Sequence, residues 1–80
     1  MSGAQEPAGV GFIGCGEISW QYVQGCGQFP SLELRAFADA DRARADALAG
    51  RAGVGRACTV EELLADPGVE VVVNLTPPGA

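Results

Sequence analysis

One short stretch near the start of the chain limits the choice of fold more than any other. Val10-Gly11-Phe12-Ile13 is an apolar run, Gly14-Cys15-Gly16 interrupts it, and Ile18, Tyr22, Cys26 and Phe29 then recur at about helical spacing between Glu17 and Gln28. Such a pattern demands a strand, a tight turn and a helix in immediate succession. The helix N-terminus, with its unpaired N–H groups, then sits beside the strand's carboxyl end.

The rest of the chain repeats this alternation. Gly25, Gly27 and Pro30 punctuate the first helix. Leu32 to Asp39 reads as a second strand, with Leu32, Leu34, Ala36 and Ala38 alternating against Glu33, Arg35 and Phe37. Asp41 is placed to cap a helix through Leu48 or Ala49, with Ala43, Ala47 and Leu48 turned inward and Arg42 paired with Asp46 outside. Gly50 and Gly53 offer stops for it.

A brief strand at Arg56-Ala57-Cys58 leads into Thr59-Val60-Glu61-Glu62, a capping box that opens a helix through Ala65. Asp66-Pro67-Gly68 is a turn by its residue chemistry, and Val69 to Leu75 is a strand whose valines suit burial on both faces. Thr76-Pro77-Pro78-Gly79 must be a loop, since neither a helix nor a central strand tolerates it. The expected architecture is α/β, a parallel sheet of about four strands with helices on both faces.

Composition narrows the functional classes. The chain has 80 residues, 48% of them hydrophobic and 19% charged, which suits one small globular unit. Its net charge is −5, it has no Lys or His, and its five Arg are scattered, so neither nucleic acid nor an anionic membrane surface is an expected partner. Cys15, Cys26 and Cys58 form no C-x-x-C pair, and without His no metal site is expected. Three reduced thiols suit a cytoplasmic protein. Residues 1–8 are expected to be a disordered tail, with no basic start or apolar run that would make a signal peptide. Val71-Val72-Val73 is far too short to span a bilayer.

Two glycine registers compete for the turn. Gly9-Val10-Gly11-Phe12-Ile13-Gly14 matches G-x-G-x-x-G by letter, but it places glycines before and within the strand. Gly14-Cys15-Gly16-Glu17-Ile18-Ser19 matches less literally yet follows the strand and opens the helix, where a phosphate-binding turn belongs. In that register Gly14 allows the turn, and Gly16, lacking a Cβ, lets a pyrophosphate approach the backbone. The helix N-terminus supplies free N–H groups and partial positive charge. Ser19 stands where a third glycine is usual and departs from the pattern by one small side chain.

Such a turn by itself also occurs without any ligand. Asp39 adds a second feature, at the end of strand two and twenty residues after Ser19, where an acid accepts hydrogen bonds from the adenosine ribose hydroxyls. A cap for the next helix would be its plain role, but Asp41 is better placed for that and leaves Asp39 free. The pair predicts a dinucleotide site. A carboxylate at Asp39 would repel the 2′-phosphate of NADP, so NAD is the expected cofactor. Arg42, three residues on, would soften that preference and keeps NADP possible.

These residues resemble the Gfo/Idh/MocA oxidoreductases, from about Val10 to the end of the chain. The resemblance is carried by Val10 to Ser19 and by Ala36-Phe37-Ala38-Asp39-Ala40-Asp41 with the Arg- and Ala-rich helix that follows. It continues through Thr59-Val60-Glu61-Glu62-Leu63-Leu64-Ala65-Asp66 to Val71-Val72-Val73-Asn74-Leu75-Thr76-Pro77-Pro78. It implies a partial Rossmann fold with strand order 3-2-1-4 over residues 9–80, and NAD(P)-dependent chemistry on a sugar, cyclitol or related polyol. The implied cofactor contacts are Gly14, Cys15, Gly16, Glu17 and Ile18 in the turn, Asp39 and Arg42 after strand two, and Leu75, Thr76 and Pro77 after strand four.

No counterpart of the family's E-K-P segment, nor of its downstream Asp and His, falls within these residues, so no catalytic residue is assigned and the chain by itself is expected to be inactive. Family members are commonly homo-oligomers. Two other readings remain: a non-catalytic nucleotide-binding remnant, and an S-adenosylmethionine methyltransferase fragment, which shares the glycine turn and the acid. Two minor features have plain readings. Cys15 beside a helix N-terminus is expected to fill space rather than react, and Trp20 and Tyr22 to pack or lie on the surface. A last strand left at the edge of the sheet is expected to be prone to pairing with other chains.

Overall fold

The structure, a computed structural model, describes residues 7–16 and 18–76. Strands and helices alternate as β1 (Ala8–Ile13), α1 (Ser19–Gly27), β2 (Leu32–Ala38), α2 (Arg42–Ala52), β3 (Arg56–Cys58), α3 (Val60–Ala65) and β4 (Val71–Asn74). All pairings are parallel and the strand order is β3-β2-β1-β4. This is the Rossmann-type order expected from the sequence. The chain steps outward from β1 to β3, then crosses back to pair β4 with the other side of β1. With right-handed crossovers, that reversal places α1 and α2 on one face and α3 on the opposite face.

The first face is the thicker. Val10, Phe12 and Phe37 meet Val23 of α1 and Ala45 and Leu48 of α2, and the Phe12 and Phe37 rings stack at 5.8 Å. The second face is built from small residues, with Ala36, Ala38 and Cys58 packed around Leu63 of α3. Here β1 presents glycine. A Cβ at Gly11 would lie 2.9 Å from Leu63, and one at Gly9 would collide with the carbonyl of Gly68. The letter-perfect glycine pattern that precedes the turn thus serves packing in the strand.

Several expected faces are corrected. The alternation along β2 breaks because the β1–β2 register jumps from Val10↔Leu34 to Gly11↔Ala36, leaving Arg35 as an extra residue. Beyond that bulge the phase inverts, so Phe37 joins the core of Leu32 and Leu34 while Ala36 and Ala38 turn to α3. In α1 the inward residues are Ser19 and Val23, with Cys26 half-buried, whereas Ile18, Tyr22 and Phe29 are exposed. Ser19 hides that stripe from a hydrophobic reading, because its buried hydroxyl is satisfied by donating to the Gly16 carbonyl.

In α2 the inward set is Ala45 and Leu48, flanked by Ala49 and Ala52, and Ala43 and Ala47 are exposed. This helix passes through Gly50 and ends at Gly53, which adopts the left-handed conformation at φ +71°. β4 is not buried on both faces. Among the described residues it pairs with β1 alone, and Val71 and Val72 are 41% and 43% exposed.

The two predicted caps form. Asp41 accepts from the Ala43 amide at 3.0 Å. Thr59 and Glu62 exchange both bonds of a capping box, at 2.9 and 3.0 Å. Asp66 then closes the turn by accepting from Gly68 at 2.7 Å and draws in Arg56 at 3.1 Å and Arg35 at 3.5 Å, which ties the end of α3 to β2 and β3.

Candidate cofactor site

β1 ends at Ile13, and Gly14 turns the chain with φ +95°, a conformation that an L side chain rarely adopts. Its N–H donates to Ala38 at 2.9 Å and Leu75 N–H donates to Ile13 at 2.8 Å, so the exits of β1, β2 and β4 are held together. A Cβ on Gly14 would lie 3.0 Å from the Thr76 nitrogen, while one on Gly16 would meet nothing within 4 Å. The two glycines differ in duty. Gly14 is required by the protein's own backbone, and Gly16 faces open space at the point where α1 begins.

A cleft of about 500 Å³ opens there, at the carboxyl ends of the strands between β1 and β4. Of the residues expected from the sequence, Gly14, Gly16, Ile18, Asp39, Leu75 and Thr76 line it. Ile13, Ala40, Arg44 and Val60 complete the wall. Thr76 is fixed by its amide and hydroxyl, which donate to the Asn74 side chain at 3.0 and 2.6 Å.

Asp39 is not free, as the sequence reading had it. One carboxylate oxygen accepts from the Cys15 amide at 2.7 Å and the other from the Asp41 amide at 2.8 Å. A carboxylate has about four lone-pair positions, so each oxygen keeps capacity for a further donor. Burial pushes the Asp39 carboxyl up, but the Cys15 and Asp41 amides and the Arg44 guanidinium outweigh it and hold it below the ordinary value of 3.8. The group is an ionised acceptor aimed into the cleft and braced from behind.

Cys15 does not line the cleft. It is buried, its Sγ donates to the Ala38 carbonyl at 3.4 Å, and burial, followed by the nearby Asp39 charge and Cys58, pushes its thiol up to about 11. That is a space-filling, unreactive thiol. Arg42 is turned aside, with Nε 3.3 Å from Asp46 and Nη2 donating to the Ala57 carbonyl at 3.4 Å. Arg44 takes the position by the cleft that the sequence reading had given to Arg42. Both arginines lie in the first turn of α2, so the sequence carried no signal that separates them. Glu17 and Pro77 lie outside the described residues.

Among the described residues, no group of His, Cys, Asp and Glu is placed to hold a metal, and no helix is long and apolar enough to cross a membrane.

A glycine turn, a braced acid at the end of β2 and a cleft at the point where strand order reverses define a dinucleotide-binding Rossmann domain. Residues 8–80 match the Gfo/Idh/MocA oxidoreductase family with NAD-binding Rossmann fold, and the chain belongs to that family. Its fold is similar to GenD2 of gentamicin A biosynthesis, solved with NAD, at TM-score 0.81 and 33% identity over 95% of this chain and 22% of that one. It is similar to a candidate myo-inositol dehydrogenase from Sinorhizobium meliloti 1021, at TM-score 0.81 and 30% identity over 88% of this chain and 21% of that one. It also resembles KijD10, a 3-ketoreductase from Actinomadura kijaniata solved with NADP and TDP-benzene, at TM-score 0.77 and 30% identity over 84% and 21%. The chain spans about a fifth of the length of these solved relatives. No curated protein matches it.

Proposed function

We propose that residues 9–80 are the N-terminal part of the cofactor domain of an NAD(P)-dependent oxidoreductase acting on a sugar, cyclitol or related polyol. The observation that carries this reading is the convergence of Gly14, Gly16 and Asp39 on one cleft. Gly16 leaves room for the pyrophosphate against the backbone, and α1 directs its N-terminus there. Asp39 accepts the ribose hydroxyls with its remaining lone pairs. Leu75 and Thr76, after β4, flank the path toward the nicotinamide half, and when bound the cofactor supplies the hydride chemistry.

Proton transfer to or from a substrate is left to groups outside this segment. The chain contains no Lys or His, and Cys15 is protonated at neutral pH. The substrate class rests on how related proteins are described, one as a candidate myo-inositol dehydrogenase and another as a 3-ketoreductase solved with NADP and TDP-benzene. Three free thiols suit a reducing, cytoplasmic setting.

Calorimetric titration with NADH, S-adenosylmethionine and ATP tests the reading. Saturable NADH binding that is weakened by Asp39→Ala supports it. Tighter binding of S-adenosylmethionine than of NADH would overturn it, and so would no binding of NADH at all.

A further inference from the structure

The charges of this chain are placed unevenly. Every Arg and most of the acids fall from Glu33 to Glu70, while residues 18–32 and 71–80 carry no charge at all. In the fold this becomes a spatial division. β2, α2, β3 and α3 make a charged half, and β1, α1 and β4 an uncharged one. The net charge of −5 makes two copies repel over most of their surface, so the uncharged half is where a like molecule can approach closely. Interface cores are depleted of charge in the same way.

β4 forms the border of that half. Edge strands are commonly protected by a charged side chain, a proline or a bulge. Val71-Val72-Val73-Asn74 has none of these, and it pairs with β1 in unbroken register. Glu70 N–H donates to the Gly9 carbonyl at 2.8 Å. Main-chain groups of alternate residues point to opposite sides of a strand, so those of Val72 also face β1, and those of Val71 and Val73 face the open edge.

We infer that the chain forms a two-fold dimer in which β4 lies antiparallel to β4 of a second copy, with Val72 on the axis, giving one eight-stranded sheet. In this register Val71 and the partner's Val73 exchange main-chain hydrogen bonds, and the two-fold repeats the exchange. Val72 then opposes the partner's Val72 in a pair without hydrogen bonds, where Cα atoms approach to about 4.5 Å. All three valines meet valines, whereas an axis one residue later would set Val72 against Asn74.

The ends of the strand agree with this register. Glu70 comes opposite the partner's Asn74. Asn74 Oδ1 already accepts from the Thr76 amide and hydroxyl at 3.0 and 2.6 Å, so Nδ2 is the group it can offer a neighbour, and a carboxylate is a fitting acceptor. An in-register parallel pair would instead set Glu70 beside Glu70, which is unfavourable. Because the two copies run in opposite directions, their cofactor clefts open at opposite ends of the shared sheet.

Sedimentation velocity on the full chain tests this. The wild type is expected to sediment as a dimer at micromolar concentration. Val72→Lys sets two ammonium groups opposite each other on the axis and should raise the dissociation constant at least about tenfold. Val72→Cys reads the register, because copper-phenanthroline oxidation should join two copies through the opposed thiols. Val71→Cys and Val73→Cys should not join to themselves, and the wild type sets the background from its own three free thiols.

A monomeric wild type would overturn the inference and leave the edge to another partner, such as a strand that follows residue 80 in a longer protein. So would a folded Val72→Lys that remains dimeric, or association that continues past the dimer. Readier self-linking at Val71→Cys or Val73→Cys than at Val72→Cys would overturn it too. Should Val72→Lys fail to melt cooperatively, the cysteine variants decide.

Discussion

The backbone amide of Cys15 donates to the carboxylate of Asp39 over 2.7 Å, joining the phosphate turn of β1 to the ribose position of β2. The residue proposed to hold the sugar also braces the loop proposed to hold the pyrophosphate. Asp39→Ala therefore removes a ligand contact and leaves two amides without their acceptor. It is expected to lower stability by about 1–2 kcal/mol and to weaken NADH by at least about tenfold. Chemical denaturation and NADH titration on the same variant separate the two losses. Asp39→Asn, which keeps one acceptor oxygen, should recover part of the stability and less of the binding.

Acid should unfold the chain through its paired carboxylates. Asp39 is held low against the upward pull of burial, and Asp66 and Glu62 are held low chiefly by the Gly68 and Thr59 amides. In each case the folded value lies below the unfolded one, so the unfolded chain binds protons first as pH falls. The stabilisation is complete above the ordinary values of 3.8 for Asp and 4.5 for Glu, and is lost as pH drops through the folded values. Melting temperature should be level from neutrality to about pH 5 and decline below it, less steeply in Asp39→Asn. A melting temperature that rises on acidification would contradict this assignment of partners.

Two glycine-to-alanine changes should act on different properties. Gly11→Ala places a Cβ 2.9 Å from Leu63 and is expected to cost about 1–3 kcal/mol of stability, with the folded fraction still binding NADH. Gly16→Ala meets nothing within 4 Å and should leave the melting temperature within about 2 °C, while NADH affinity falls because the added methyl occupies the space for the pyrophosphate. Equal effects of the two variants on stability would mean that the turn and the strand had been assigned the wrong duties.

Thiol labelling should follow burial. Cys15 and Cys58 are buried and Cys26 is half-buried, and desolvation raises all three thiols, Cys15 to about 11. At pH 8 a disulfide reagent should modify Cys26 first and reach Cys15 and Cys58 only when urea opens the fold. Rapid labelling of Cys15 in the native chain would show an activated thiol and reverse this reading.

Much of this was legible in the sequence, for local reasons. Thr59 and Glu62 form their capping box because both partners lie within one turn, and Gly14 marks its turn because few other residues accept that backbone. The alternation of elements and the handedness of crossovers implied a parallel sheet, and the family resemblance supplied its strand order. The misses were relations between elements. Alanines on every side of α2 left no contrast to show that Ala45 rather than Ala43 or Ala47 meets the sheet. The bulge at Arg35 depends on β1 as much as on β2, so strict alternation misplaced Phe37. Arg42 and Arg44 are chemically alike, and only the rotation of α2 decides which one reaches the cleft.

Without a side chain at position 11, β1 meets α3 at the height of its bare backbone, and Leu63 drops into the recess. Gly11 and Leu63 therefore trade volume across the layer. An alanine on the strand calls for a valine on the helix, and the pair would be expected to vary together. Val60 rides on the same short helix and forms part of the wall of the cofactor cleft. Val60 and Leu63 share one face of α3, so a clearance set inside the strand also governs how closely the helix carries Val60 to the cleft.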